Sequence, residues 1–246
     1  MSDLLSVVSV ALQADQSRLE QASINAANAS TPGYRRSGVA SIAFDQVMDS
    51  AQQSGTAGKS WLPPAPVLQR TIDFTPAALM QTGRPLDVAV EGEGFIALTD
   101  GQRRWLTRSA SLSVGPTGEL VGPRGLRVVS DAGELRPGTE QEVAMLADGS
   151  VQVGGRAIGR IQILQPEDVK AMVTQDGVLF EVGEQVTESA LGKAVLRPGF
   201  LEGSNTHHLK EMLGVMETVR HFESLTRLAQ GYDEVMGRTI QKLGEV

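Results

Sequence analysis

From Ser2 to about Asn28, apolar residues return at alternating intervals of three and four. Leu5, Val8, Leu12, Leu19, Ala22, Ala26 and Ala29 form the seam of a heptad repeat, which only Asp15 breaks. The spacing predicts a helix roughly 40 Å long. A stripe this narrow is not buried by its own helix and asks for a partner. The same period returns from about Asn205 to the end of the chain. There Phe222, Leu225, Ala229, Tyr232, Met236 and Leu243 keep the spacing, with Thr239 in the remaining slot. Asn205 or Thr206 is the N-cap candidate, and a continuous helix would be roughly 55 Å long.

Between the two helices the pattern changes. From about Thr71 to Leu196, short apolar runs such as "GFIALT", "LRVVS", "GRIQIL" and "VLFEV" alternate with turn residues at Asp100-Gly101, Asp148-Gly149, Gly154-Gly155 and Asp176-Gly177. "LDVAVE" alternates apolar and polar, as a half-buried strand does. Short strands with frequent turns predict β-hairpins in an antiparallel sandwich or barrel. Residues 45–70 are small and polar, then proline-rich at Pro63-Pro64, and read as a linker.

The expected fold class is therefore α+β. The N- and C-terminal helices pack as a coiled-coil-like pair, parallel or antiparallel, outside an inserted, mainly antiparallel β domain. The divisions fall at 1–35 for the first helix, 36–74 for the connection, 75–200 for the β domain and 201–246 for the closing helix. A two-helix pair still leaves apolar surface exposed, and that remainder predicts self-assembly.

Composition narrows the function. The chain of 246 residues carries a net charge of −7, and Arg103, Arg104 and Arg108 are its nearest approach to a basic cluster, so nucleic acid is disfavoured as a partner. There is no cysteine, which excludes disulfides, thiolate catalysis and thiolate metal sites. Residues 1–17 hold no Lys or Arg, so the basic region of a cleavable signal is missing. No apolar run is long enough to span a membrane, so no direct membrane insertion is expected.

Candidate chemistry is sparse. "GEGFIA", from Gly92 to Ala97, matches the spacing of a dinucleotide fingerprint, but the sequence continues as strand where that fingerprint must open a helix. The bland reading is a tight turn between strands. Glu91 and Glu93 have no His, metal ligand or apolar pocket to perturb them and read as solvated surface. His207, His208 and His221 lack metal-ligand spacing and read as capping or packing residues. No nucleophile elbow or phosphate loop is present. The expectation is no enzyme, no cofactor and no metal.

Several motifs then coincide, in order. "INAANASTPGYRR" resembles the N-terminal signature of the bacterial flagellar rod, hook and hook-associated axial proteins. "RPLDVAVEGEGFIAL" and "RSASLSVGPTGELVGPRGLRVV" are similar to strand and hairpin motifs of the same family, and "PGFLEGSNTHHLKEMLGVMETVRHFESL" to its closing helix. Within the family, the length and the "RHFE" of Arg220–Glu223 favour the proximal-rod branch; the distal-rod branch tends to carry Tyr where Phe222 stands. Two departures are "ASINAANAS" for the more usual Ala-Asn-Asn start, and "SNTHH" for Ser-Asn-Val, which bears on how the last helix starts.

The resemblance implies a structural axial subunit of the flagellar basal body, in the rod that crosses the periplasm. Its partners would be copies of itself, other rod proteins and, during secretion, the flagellar type III export apparatus. The helices of many subunits would pack together, the helical assembly transmitting torque through many small apolar contacts. The expected assembly residues are Leu5, Val8, Leu12, Leu19, Asn25, Asn28, Pro32, Gly33 and Tyr34 at the N-terminal side, and Phe222, Leu225, Tyr232 and Met236 at the C-terminal side. Pro32-Gly33 fits the centre of a type II turn, with Gly33 supplying a positive φ. A distal-rod or hook paralogue is the alternative. A ligand-binding β domain or enzyme with helical oligomerisation arms is the remote one.

Overall fold

The computed structural model describes residues 2–41, 68–138, 143–169, 172–174, 176–182, 186–188 and 194–244. Most of the stretch read as a linker lies outside the described residues. So do the side chains of Leu5, Thr239 and Leu243.

The chain divides into two compact units. The first joins Met1–Ala27, Ser37–Ile72 and His207–Val246. Helix α1, Ser2–Ala27, and helix α2, His208–Gly244, are its main elements. They lie side by side and antiparallel: Asp15 meets His221, Asn25 meets Glu211, and the Ala26 carbonyl lies 3.3 Å from Nδ1 of His208. Among the described residues, the buried ones of α1 are Val8, Ala14, Asp15, Gln21 and Asn25, so its buried face extends beyond the heptad seam. Val8 is buried, Leu12, Leu19 and Ala22 are half-buried, and so are Leu225, Ala229, Tyr232 and Met236 on α2.

Strands occur where the sequence suggested only a connection. β1, Ser37–Ser41, pairs antiparallel with β2, Leu68–Ile72, in the first unit. "SGVAS" and "LQRTI" are short and lack an apolar run, so neither carried a strand signal.

The second unit joins Asn28–Arg36 to Asp73–Thr206 and holds the β structure. β3 (Leu79–Gln81), β4 (Asp87–Gly92), β5 (Phe95–Thr99), β6 (Arg104–Thr107) and β7 (Ser109–Ser111) lead into it. β5 pairs with β6 along one edge and with Arg127–Ser130 and Ile163–Pro166 along the other. β4 lies between β7 and Ala194–Pro198. Every ladder among the described residues is antiparallel.

The core of this unit gathers Val88, Ile96, Leu98, Leu120, Val151 and Leu196 with their neighbours. Beside it, the rings of Phe74, Phe95 and Phe180 form a cluster with centroids 5.1–6.3 Å apart. β4 departs from the half-buried strand its alternation predicts. Asp87, Val88, Ala89 and Val90 are all buried, so both of its faces are covered. Asp87 tolerates this because Arg84 bonds its carboxylate at 2.8 Å.

Candidate functional site

The segment after α1 is built as a turn. Tyr34 donates its backbone N–H to the Thr31 carbonyl at 3.3 Å, and Gly33 sits between them at φ 75°. This is the type II geometry that Pro32-Gly33 suits. The turn delivers Tyr34 and Arg35 into the interior of the second unit, where they are 1% and 0% exposed. The Tyr34 ring lies against Gly177, where a Cβ would stand 2.4 Å from the ring. The Gly177 carbonyl accepts the backbone N–H of Arg35 at 2.8 Å.

Arg35 then meets charge. Its Nη2 donates to Oε1 of Glu202 at 2.7 Å, and its Nη1 to the Thr75 carbonyl at 3.2 Å. Arg108 reaches the other carboxylate oxygen, with Nε 3.2 Å from Oε2. One buried Glu thus serves two buried Arg. Burial pushes the Arg108 guanidinium's affinity for its proton down, and the Glu202 charge opposes that. Arg108 also donates to the carbonyls of Gly92, Gly94 and Val90 and stands 5.8 Å from the centre of the Phe95 ring. The glycines of "GEG" take φ values of 96° and 136° in the turn from β4 to β5, and their carbonyls clasp Arg108. The strand, turn and strand here offer no helix N-terminus to a pyrophosphate.

Asn205 completes the junction. Its Oδ1 accepts the Arg36 backbone N–H at 2.7 Å, and its Nδ2 donates to the Asp73 carbonyl at 2.7 Å and the Thr75 carbonyl at 3.2 Å. Its amide is therefore committed to the β unit and does not cap α2. Thr206 does not cap it either, because its buried Oγ1 has no hydrogen-bond partner. The N-cap expected at one of these two residues is not formed, and α2 begins at His208.

In the first unit, Asn25 plays a similar bridging part. Its Nδ2 donates to the Ser37 carbonyl at 2.7 Å and to Glu211 at 3.3 Å, while its Oδ1 accepts the Ser37 N–H at 3.1 Å. The amide thereby mimics a strand neighbour for β1. The opposite face of α2 is unlike this one. Leu209, Met212, Leu213, Met216 and Val219 follow one another at helical spacing and are all exposed, Leu209 at 73%.

No family model matches the chain. It is similar to the flagellar basal-body rod protein FlgF of Escherichia coli, at 30% identity over 234 residues that cover 89% of both chains. The chain belongs to the flagellar basal-body rod protein family. It is also similar to FlgF of Salmonella typhimurium, at 28% identity over 236 residues and 89% of both chains. The rod protein FlgG of Bacillus subtilis is 25% identical to it over 246 residues, 90% of this chain and 91% of the relative.

In this rod-family chain the expected assembly residues fall into three groups. Val8 is buried and Leu12, Leu19, Leu225, Tyr232 and Met236 are half-buried in the two helices, while Asn25 bonds Glu211 from one helix to the other. Leu5 is in α1, with its side chain outside the described residues. Asn28, Pro32, Gly33 and Tyr34 belong to the second unit: Asn28 is half-buried, Pro32 is exposed, and Gly33 and Tyr34 are buried. Phe222 is 36% exposed, at the flank of the seam.

His221 lies away from the helix start and its side chain is more than half exposed, with Nδ1 2.5 Å from Oδ2 of the buried Asp15. The one break in the heptad seam thus has a partner. Among the described residues no group of three His, Asp or Glu is placed to hold a metal ion, and no helix is long and apolar enough to cross a membrane. The Arg35–Glu202–Arg108 triad was missed at the sequence level. Its members sat inside the quoted motifs "YRR", "RSAS" and "FLEG", with nothing to indicate that they met.

Proposed function

We propose that the protein is a structural subunit of the flagellar rod, on the proximal-rod side of the family. It acts in the basal body, in the shaft that crosses the periplasm and transmits torque, and it has no enzymatic role. The observation that carries this reading is the exposed apolar face of α2, read together with the family. A monomer that keeps Leu209, Met212, Leu213, Met216 and Val219 in water is incomplete. Helices from further copies and from other rod proteins cover that face, packing in coiled-coil-like fashion, and Phe222 extends it.

Val8, Leu12, Leu19, Leu225, Tyr232 and Met236 hold the pair that presents it. Asn25, Asn28, Pro32, Gly33 and Tyr34 fix the chain's exit from α1. The proximal-rod placement rests on likeness to FlgF, which spans 24–30% identity, against 23–25% for FlgG. The division into an assembling helical part and a β part, and export through the flagellar type III apparatus, complete the proposal.

The test is a Leu213→Asp/Met216→Asp variant. Both side chains are exposed, so the purified chain keeps its circular dichroism spectrum. Incorporation into isolated basal bodies and motility should be lost, because a carboxylate buried in an apolar contact costs several kcal/mol. Normal incorporation of this variant would sink the reading.

A further inference from the structure

We propose that two polar pairs that span the helices, Asp15 with His221 and Asn25 with Glu211, set the register in which α1 and α2 pair. The bonds lie ten residues apart on each helix, from 15 to 25 along α1 and from 221 back to 211 along α2. They therefore specify one and the same antiparallel alignment. Asp15, Asn25 and Glu211 are 1%, 1% and 3% exposed, whereas the His221 side chain is 56% exposed, so the second pair is interior and the first is buried on its Asp15 side.

The apolar seam cannot choose this alignment by itself. Leu12, Leu19 and Ala22 on one side and Leu225, Ala229 and Tyr232 on the other repeat with the heptad. A slip of one heptad presents a similar apolar row to a similar row. The polar residues do not repeat. After such a slip Asp15 lies level with Gly214 or Leu228, and Asn25 level with Thr218 or beyond the start of α2. Arg18 still bonds Oδ1 of Asp15 at 3.2 Å from within α1, but Oδ2 loses the imidazole donor. A carboxylate buried without its partner penalises every slipped pairing, and register selection is the best attested use of buried polar groups in helical seams.

The absence of cysteine makes the alignment directly readable. In the full-length chain, Ala11→Cys with Leu225→Cys reports the present register, since residues 11 and 225 continue the same spacing. Ala11→Cys with Thr218→Cys reports a one-heptad slip. Intramolecular disulfide yield, read from the monomer band under mild oxidation, should favour the first pair by about tenfold or more. In a His221→Leu/Glu211→Leu background the preference should fall towards parity, while His221→Gln/Glu211→Gln, which retains hydrogen-bonding groups at both positions, should restore it.

A preference that survives the Leu substitutions overturns the proposal, as do equal yields in the native background. If the Leu background loses its helical signal, the Gln background decides: a kept preference supports the proposal and a lost one overturns it. None of these readouts involves rod assembly, so they stand or fall apart from the proposed function.

Discussion

The two units treat charge and apolar surface in opposite ways. The β unit encloses even its guanidinium groups: Arg35, Arg108 and Glu202 are 0%, 6% and 1% exposed. Its exposed large apolar residues, Met80, Leu146, Val173 and Val195, are scattered singly, as on any soluble surface. The helical unit has one well-matched face, between α1 and α2, and leaves a run of Leu, Met and Val on the other side of α2 in water. One unit pairs its buried charges and encloses its apolar core, although Nε of Arg35, Nε1 of Trp105 and Oγ1 of Thr206 are buried there without a hydrogen-bond partner. The other leaves much of its apolar surface exposed. A difference of this kind within one chain is what a subunit needs if it must hold its shape while bonding to neighbours.

The largest expected effect tests the closed half. Replacing Glu202 by Leu leaves two buried guanidinium groups facing each other with no counter-charge. Breaking a buried ion network in this way costs about 3–5 kcal/mol. Urea denaturation of the full-length chain, followed through the β signal, reads it. A loss below about 1 kcal/mol, the worth of an exposed pair, would mean that water reaches the triad.

A matched pair of alanine substitutions then sets the units against each other. Leu106 is fully buried in β6, so Leu106→Ala should cost about 2–5 kcal/mol. Leu213 is 60% exposed, so Leu213→Ala in the isolated chain should stay within about 0.5 kcal/mol. Thermal unfolding of both variants reads the contrast. Equal losses would show that the outer face of α2 is already covered in solution, and the contrast between the units would collapse.

What the sequence made legible divides along the same line. Both helices were readable because a period of three and four repeats over many residues. The Pro32-Gly33 turn and the "GEG" turn were readable because glycine marks positive φ locally. The triad was not, because Arg35 and Glu202 are 167 positions apart and Arg108 and Glu202 are 94 apart. A charged residue in a motif looks the same whether it points to water or to a buried partner. The N-cap expectation failed for a related reason: Asn205 is a good cap by type, but Arg36, Asp73 and Thr75 engage its amide first. Asp15 was visible as a break in the seam, although only the fold showed His221 opposite it.

The smallest expected effect concerns a carboxylate that the β unit does not enclose. Asp73 accepts hydrogen bonds from the Thr75 hydroxyl at 2.7 Å and the Thr75 backbone N–H at 2.9 Å. These bonds, with the charges of Arg36 and Arg35 nearby, hold its pKa below the ordinary carboxylate value. A carboxyl group whose pKa is lower when folded stabilises the fold above its unfolded pKa, which is about 3.9, and that contribution is lost as pH falls through the folded value. Asp73→Asn has no such proton to gain. The stability gap between the native chain and this variant should therefore be small and constant near neutrality and shrink as the pH drops below about 4. Urea titrations at pH 7, 5 and 3 read the trend, and Glu202→Leu measured alongside should remain far more damaging at every pH above the unfolding limit. A gap that does not change with acidification would mean that the Thr75 bonds do not favour the charged form of Asp73 in solution, and that the β unit gains nothing from charge at this exposed position.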